Sequence, residues 1–161
     1  MLLRFALYAW ASPNTVLGLL AGLVLLCFGG RLQFVEGVAE FSGGLLGVAA
    51  GSVPGRVRFS AITLGHVILG VNRAELAAAR AHEHVHVMQY ELWGPLFLFA
   101  YAGSSLWQIA RGRRGYRDNF FERQAYAAER SATSRPAGTI DESRTSILRP
   151  HFRKRAPWAK R

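Results

Sequence analysis

The pentapeptide His82-Glu83-His84-Val85-His86 matches the pattern H-E-x-x-H and constrains this chain more than any other segment. Residues four apart on a helix lie on one face, so His82 and His86 can direct ring nitrogens at one metal ion. Neutral imidazole suits Zn²⁺, and zinc lowers the pKa of a bound water molecule to about 7. Glu83 can then take and deliver the proton of that water. The motif therefore predicts a hydrolytic metal site.

The residues around the motif predict the helix that it requires. Asn72 is a favoured N-cap, and Glu75 three residues later completes a capping-box pattern. The run from 74 to 91 holds no glycine or proline and is rich in helix-forming residues. Its apolar residues mark the side that we expect to be buried: Leu76, Ala79, Val85 and Met88.

A catalytic zinc site needs three protein ligands and one open position. The best third ligand is Glu122, because it lies one turn into a second predicted helix, 120–129, where it can face the histidine pair. An ordinary alternative stays open, since Asn119 and Glu122 also form a capping-box pattern. His84 points about 200° away from His82 and is expected on the surface or at a second site rather than among the ligands.

The pattern His82-Glu83-x-x-His86-x-x-Gln89, followed by Glu122-x-x-Ala125, resembles the gluzincin metallopeptidases. The likeness is strongest to small bacterial proteins with H-E-x-x-H-x-x-Q and a downstream E-R-E-A-D. It is more distant to the membrane CaaX-protease-like group with E-x-x-A-D. The resemblance covers about residues 80–129. It implies one Zn²⁺ held by His82, His86 and Glu122, with Glu83 as general base.

The chain departs from those patterns at Tyr126, where they usually carry an aspartate that orients a ligand histidine. This departure favours, as an alternative, a zinc-binding scaffold protein without catalytic activity. Several side chains are expected beside the ligands or along a substrate cleft, with packing as the plainer role for some: Gln89, Tyr90, Asn119, Tyr126 and His66.

Apolar and basic residues lie in separate segments of the chain. Half of the 161 residues are hydrophobic, yet the net charge is +10. The segment 1–30 is apolar, with Ser12-Pro13 as a possible N-cap and first helical residue and Gly29-Gly30 as a stop signal. A helix from Pro13 to Gly29 would span about 25 Å. We favour an uncleaved membrane anchor over a signal peptide, because no A-x-A-like site follows, and over a buried hairpin helix.

The middle of the chain predicts short strands. Segments 33–41, 57–64 and 66–69 alternate in polarity, and glycines punctuate them. We therefore expect an α+β fold: a minimal zincin-like core with a small antiparallel sheet, the motif helix, a second ligand helix and an N-terminal apolar helix. The expected domains are an anchor at 1–30, a metal-binding domain at 31–130 and a basic disordered tail at 131–161.

The apolar run 93–110 is long enough to span a bilayer, but spanning conflicts with the proposed site. It would separate His86 from Glu122 by about 30 Å, whereas zinc bonds are about 2.0–2.2 Å. We therefore expect a core or membrane-dipping helix. The arginines of 111–117 and the basic tail would contact anionic headgroups, which favours a cytoplasmic domain over an extracytoplasmic one.

The combined features predict a zinc-dependent, membrane-associated peptidase that acts on a peptide or protein substrate. A strand near 63–69 is suited to bind that substrate as an added β-strand. The single cysteine, Cys27, excludes an intramolecular disulfide and a zinc site made of thiolates. Nucleic-acid binding is the weakest hypothesis, since the basic tail has only Phe152 and Trp158 as aromatic residues.

Overall fold

The computed structural model describes residues 2–52 and 60–133, so most of the predicted disordered tail lies outside the described residues. The fold is α+β, as predicted. Its elements are α1 (Leu2–Cys27), β1 (Gly30–Val35), β2 (Val38–Gly43), α2 (Leu45–Ser52), β3 (Ala61–Leu64), β4 (Val67–Gly70), α3 (Arg73–Trp93), α4 (Phe97–Ala110) and α5 (Phe120–Thr133), with a short 3₁₀ turn at Gly94–Leu96.

The four strands form one mixed sheet in the order β1-β2-β4-β3. β1 pairs with β2 and β3 with β4 in antiparallel fashion, but β2 and β4 are parallel. The prediction of a purely antiparallel sheet was therefore wrong. The parallel pairing follows from the connection between β2 and β3, which includes helix α2, an element that the sequence did not predict. Such a crossover lets the chain reach the far edge and place β4 in the centre, parallel to β2.

The predicted strand 33–41 is in fact a hairpin. Glu36 and Gly37 both have positive φ values, 51° and 85°, as a two-residue turn with the twist of the flanking strands requires. The strands predicted at 57–64 and 66–69 are present as β3 and β4, although 57–59 lie outside the described part of the chain.

Helices cover both faces of the sheet because strand residues alternate in direction. One face contacts α1 through Leu25, and its strand residues are Ala39, Phe41, Val67 and Leu69. The other face contacts α3, and that cluster contains Val38, Ile68, Leu76 and Val87. A third apolar cluster joins the four long helices through Ala11, Tyr90, Phe97 and Phe121.

Helix α1 extends much further toward the N-terminus than predicted. Pro13 lies inside it, so Ser12 is not an N-cap. A proline lacks the N–H that would bond to the carbonyl four residues earlier. The Ser12 hydroxyl donates to that carbonyl, of Ala9, at 2.7 Å and thereby satisfies it. From Phe5 to Cys27 the helix is long and apolar enough to cross a membrane, a property that signal sequences and core helices share.

Helix α3 begins as predicted. The Asn72 side chain accepts a hydrogen bond from the Glu75 N–H at 2.9 Å, and the helix runs unbroken to Trp93. The next apolar helix, α4, has only 14 residues, about 21 Å. The chain then turns back, and α5 packs on both α3 and α4. This return brings Glu122 to the side of the histidine pair.

Candidate metal centre

Two buried histidines on successive turns of α3 begin the site. Their Nε2 atoms, on His82 and His86, lie 3.2 Å apart. Both positions belong to the buried side of an amphipathic helix, so the rings point into the protein rather than into solvent. Two nitrogen lone pairs at this distance repel each other unless a cation or a proton lies between them.

Glu122 on α5 contributes a carboxylate to the same point. Its Oε2 lies 3.2 Å from His82 Nε2, and its Oε1 lies 3.3 Å from His86 Nε2. Metal bonds of 2.0–2.1 Å at tetrahedral angles would place ligand atoms about 3.4 Å apart. Oε2 is also a buried oxygen that no described residue satisfies with a hydrogen bond. These three buried side chains therefore lie close enough to bind one metal ion.

Gln89 determines which nitrogen of His86 faces the centre. Its Nε2 donates to the Phe121 carbonyl at 3.1 Å and to Gln124 Oε1 at 3.0 Å. A carbonyl only accepts, so this end of the amide must be the nitrogen. The Gln89 oxygen then faces His86 Nδ1 at 2.8 Å and accepts a hydrogen bond from its N–H. The His86 lone pair is thus held on Nε2, where a metal ligand requires it.

His82 is oriented by different groups. Its Nδ1 lies 3.6 Å from Oε2 of Glu129, and its ring contacts the Tyr126 ring with centroids 4.7 Å apart. The Tyr126 ring therefore lies directly beside His82. The nearest carboxylate to Nδ1 comes instead from Glu129, one turn further along α5.

Charge and burial oppose each other at the ligands. Burial raises the pKa of Glu122, but the contacts with His82 and His86 lower it by more, so this carboxyl is ionised well below its ordinary pKa. Burial lowers the pKa of His86, but the hydrogen bonds to Glu122 and Gln89 raise it above its ordinary value. An ionised carboxylate among lone-pair donors is an arrangement that attracts a cation.

A tyrosine hydroxyl completes the surroundings of Glu122. Tyr101 on α4 donates to Glu122 Oε1 at 2.8 Å. Burial, together with the Glu122 charge, raises the pKa of Tyr101, so the hydroxyl keeps its proton. The pKa of Tyr116 is also raised, by partial burial and by Glu122 and Tyr126, although this loop residue is 56% exposed.

Glu83, the candidate general base, is buried beside the ligands and contacts the sheet. The Thr63 hydroxyl on β3 donates to Glu83 Oε2 at 2.7 Å. This contact leaves the other carboxylate oxygen for further bonds. The Glu83 charge also contributes to the raised pKa values of His86 and Tyr101, as a group near the centre would.

The remaining predicted residues do not meet the three ligands directly. Tyr90 is buried in the cluster with Phe97 and Phe121, where burial raises its pKa. Asn119 caps α5, accepting from Phe121 N–H at 2.9 Å, and its amide donates to the Tyr101 carbonyl. His66 packs on α1.

The contacts of His66 and His84 show their separate environments. The His66 ring stacks on Tyr8 at 3.8 Å, and its Nε2 lies 3.1 Å from Glu91. His84 is half-buried, with Nδ1 3.7 Å from Glu36 in the hairpin turn. The metal centre thus draws on two of the four histidines in the described residues.

Sequence reasoning missed Tyr101 and Glu129. Tyr101 lies within an apolar run that gave no sign of a polar contact. Glu129 was detectable, because it follows Glu122 by seven residues and so falls on the same helix face.

No protein-family model, no curated protein and no solved structure matches this chain. The gluzincin resemblance therefore remains a prediction based on the motif residues. The described residues show a candidate metal site on an α+β scaffold.

Proposed function

We propose that the protein is a zinc-dependent peptidase that acts at a membrane. One observation carries the proposal: two imidazoles and a carboxylate converge in the interior, and a second buried carboxylate follows the first histidine directly. Structural ion pairs do not need this arrangement, because a single histidine and a single carboxylate satisfy each other.

Zinc is the metal that this donor set suits best. His82, His86 and Glu122 would hold it, leaving one of four tetrahedral positions open as in catalytic rather than structural sites. Imidazole nitrogen also favours zinc over magnesium or calcium, which prefer oxygen ligands alone. When bound, the ion supplies a Lewis acid that polarises a carbonyl and makes a water molecule acidic at neutral pH.

The chain's own residues supply proton transfer and orientation. Glu83 accepts a proton from the attacking water and passes it to the leaving amine. Thr63 holds one oxygen of that carboxylate by its hydrogen bond, which directs the other. Tyr101 holds Glu122 in position by donating to Oε1. Gln89 holds His86 in the tautomer that a metal requires.

The outer edge of β3 is the candidate binding surface for a peptide. Within the described residues this strand pairs only with β4, so its outer edge has backbone groups without a strand partner. Thr63 of the same strand contacts Glu83. A substrate that adds to this edge as a further strand would pass next to the general base. Peptide or protein is therefore the substrate class that we infer.

A membrane location is supported by α1, which is long and apolar enough to enter a bilayer. Only 28% of this apolar stretch is buried in the protein, so most of it needs another apolar partner. The cytoplasmic placement of the domain stays a prediction from the basic residues.

The decisive experiment measures hydrolysis of a peptide library with and without a chelator. Glu83→Gln should retain the metal, because Glu83 is not a ligand, but should lose hydrolysis by about 10²–10⁴-fold. Glu36→Gln, which removes an exposed carboxylate near His84, is the matched control and should keep full activity. Hydrolysis by Glu83→Gln at the unaltered rate would disprove the mechanism.

A second function follows from Tyr126. Its ring lies beside His82 where the resembling peptidases carry an aspartate. Retention of one zinc ion per chain, with no turnover of any library peptide and no effect of Glu83→Gln, would identify the protein as a zinc-binding scaffold.

A further inference from the structure

Helix α1 lies along the domain over almost its whole length. Near its start the Tyr8 hydroxyl donates to the Gly37 carbonyl at 2.9 Å. In the middle the His66 N–H donates to Thr15 Oγ1 at 3.1 Å. Near its end Leu25 belongs to the apolar cluster of the sheet. These contacts extend over about 26 Å of helix axis.

The approach of α1 to the sheet is close enough to require glycine. A Cβ added at Gly18 would lie 2.7 Å from Val67 Cβ, and one added at Gly22 would lie 2.5 Å from the Phe41 ring. Such contacts fix the helix on the strands. The segment is therefore one layer of the domain and not an independent stalk.

This packing conflicts with a helix that crosses the bilayer. A crossing α1 would carry β2 and β4 to the same depth, together with the rest of the sheet. The outer edge of β1 has backbone groups that no described strand satisfies, and Arg31 on it is exposed. Hydrocarbon does not tolerate an open sheet edge or an unpaired charge.

The outward face of α1 is nevertheless apolar. Its large side chains recur at helical spacing opposite the glycines, and each is at least half exposed: Phe5, Val16, Leu17, Leu20, Leu23 and Val24. A continuous apolar face of this length exceeds what soluble monomers normally expose.

Helix α4 presents a second face of the same kind. Its side chains Phe99, Leu106, Trp107 and Ile109 are each more than half exposed. The 3₁₀ turn that leads into α4 packs on α1: the Gly94 carbonyl accepts from Asn14 Nδ2 at 3.1 Å, and Gly94 lies against the Trp10 ring.

Positive charge borders the apolar face of α4. Arg111 stacks over the Trp107 ring at 4.3 Å, a pairing suited to the boundary between acyl chains and headgroups. Residues 92–117 contain no acidic side chain, and the arginines that end this stretch are exposed: Arg111, Arg113, Arg114 and Arg117. This charge complements anionic phospholipid headgroups.

We propose that α1 and α4 lie in the plane of one bilayer surface. Their outward apolar faces enter the boundary of the acyl chains, and the arginines contact anionic headgroups. In an isolated amphipathic helix at a membrane surface, the side opposite the lipid is exposed to water. In this protein that side of α1 packs on the sheet. The protein enters one leaflet without crossing the membrane. This proposal does not depend on the peptidase function.

The first test determines on which side of the membrane each end of α1 lies. Two single-cysteine variants are made in a Cys27→Ser background: one carries a cysteine ahead of Met1, and the other is Arg31→Cys. Both are treated with a membrane-impermeant maleimide in intact spheroplasts and after lysis. An in-plane helix places both thiols on the same side of the membrane. Labelling from opposite sides shows that α1 crosses the bilayer and overturns the proposal.

Vesicle binding tests the partner. The purified full chain should bind vesicles with phosphatidylserine more tightly than vesicles of phosphatidylcholine alone. Replacing Arg111, Arg113 and Arg114 by Gln should weaken binding to the anionic vesicles by roughly a hundredfold, about fivefold for each charge. The matched triple variant replaces three other exposed arginines: Arg31, Arg123 and Arg130.

Equal losses in the two triple variants would show non-specific attraction and contradict the assigned surface. A chain that binds neither kind of vesicle would also overturn the proposal. A second copy of the chain would then be the candidate partner that covers the apolar faces. Metal content and peptide hydrolysis do not enter either measurement, so a failure here leaves the peptidase proposal standing.

Discussion

Helix α3 takes part in two charged clusters, each built around a buried carboxylate, that differ in how their hydrogen-bonding groups are satisfied. The first is a pair, Arg80 with Glu40 of β2. The second is the candidate metal centre of His82, His86 and Glu122. Both join α3 to a neighbouring element, and both place a buried carboxylate against nitrogen groups of this helix.

The pair is complete. Arg80 Nε lies 2.7 Å from Glu40 Oε1, and Nη2 lies 2.8 Å from Oε2, the two-fold geometry of guanidinium and carboxylate. Gln33 donates to the same Oε2 at 2.5 Å. Burial raises the pKa of Glu40, but these hydrogen bonds and the Arg80 charge lower it below the ordinary value.

In the metal centre, by contrast, the hydrogen-bonding capacity of the side chains is not fully satisfied. Its two nitrogens face each other, and one carboxylate oxygen has no hydrogen bond from the described part of the chain. Burial and charge alone therefore do not distinguish a structural ion pair from a ligand site. Open bonding capacity that converges on one point does.

The largest expected effect is on metal content. His86→Ala should reduce bound zinc from one ion per chain to none after dialysis, because two remaining ligands do not hold a catalytic ion. The double variant Glu40→Leu/Arg80→Met, which removes the other cluster without leaving a charge unpaired, should keep one ion per chain. Plasma emission spectrometry measures both. Equal zinc in His86→Ala and the unaltered chain would show that the histidine is not a ligand.

The free energy of unfolding, unlike the metal content, should depend on the pair of Arg80 and Glu40. Arg80→Met leaves the fully buried Glu40 carboxylate without its guanidinium and should lower the free energy of unfolding by about 3–5 kcal/mol. The double variant Glu40→Leu/Arg80→Met should recover most of this loss, because no charge is then left unpaired. Chemical denaturation in detergent measures both. A double variant as unstable as the single one would contradict the assignment of Glu40 to a self-sufficient pair.

The same pair has a pH signature. The pKa of Glu40 in the folded chain lies below its ordinary value of 4.5, so its contribution to stability is present above that value. The contribution is lost as pH falls through the lowered pKa. The stability difference between the unaltered chain and Glu40→Gln should therefore be larger at neutral pH than at about pH 3. A difference that does not change with pH would show that Glu40 is not ionised in the fold.

The site could be predicted because its determinants are local. The helical spacing of His82 and His86 and the Asn72 cap depend on residues within a few turns. Glu122 required one inference about a second helix. Tyr101 could not be found, since an apolar run does not indicate which of its residues approaches a carboxylate from another helix.

The sheet was predicted less well because its pairing is not local. Parallel contact of β2 with β4 depends on where the chain returns after α2, and strand alternation carries no information on this point. The packing of α1 has the same origin. Gly18 and Gly22 fit an apolar membrane helix as well as a helix on a sheet, and only the position of Phe41 and Val67 distinguishes the two.

A smaller effect should come from Gln89. Gln89→Leu leaves the His86 Nδ1 proton without an acceptor and frees the ring to change tautomer, so zinc affinity should fall about 10–100-fold. Gln124→Leu removes the far partner of Gln89 but not its bond to His86, and should change affinity little. Titration against a competing chelator measures both. Equal affinities in the two variants would show that the Gln89 contact does not orient the ligand.

The smallest effect separates two contacts that look alike. Glu129 lies 3.6 Å from His82 Nδ1, and Glu36 lies 3.7 Å from His84 Nδ1. If His82 binds the metal, Glu129→Gln should lower zinc affinity, but by less than about tenfold, because the Glu129 side chain is 42% exposed and water can replace it. Glu36→Gln should leave zinc affinity unchanged, because its histidine has no part in the centre. A loss as large as that for Gln89→Leu would show that Glu129 takes the place of the aspartate that Tyr126 displaces. No loss at all would show that the Tyr126 ring alone keeps His82 in position.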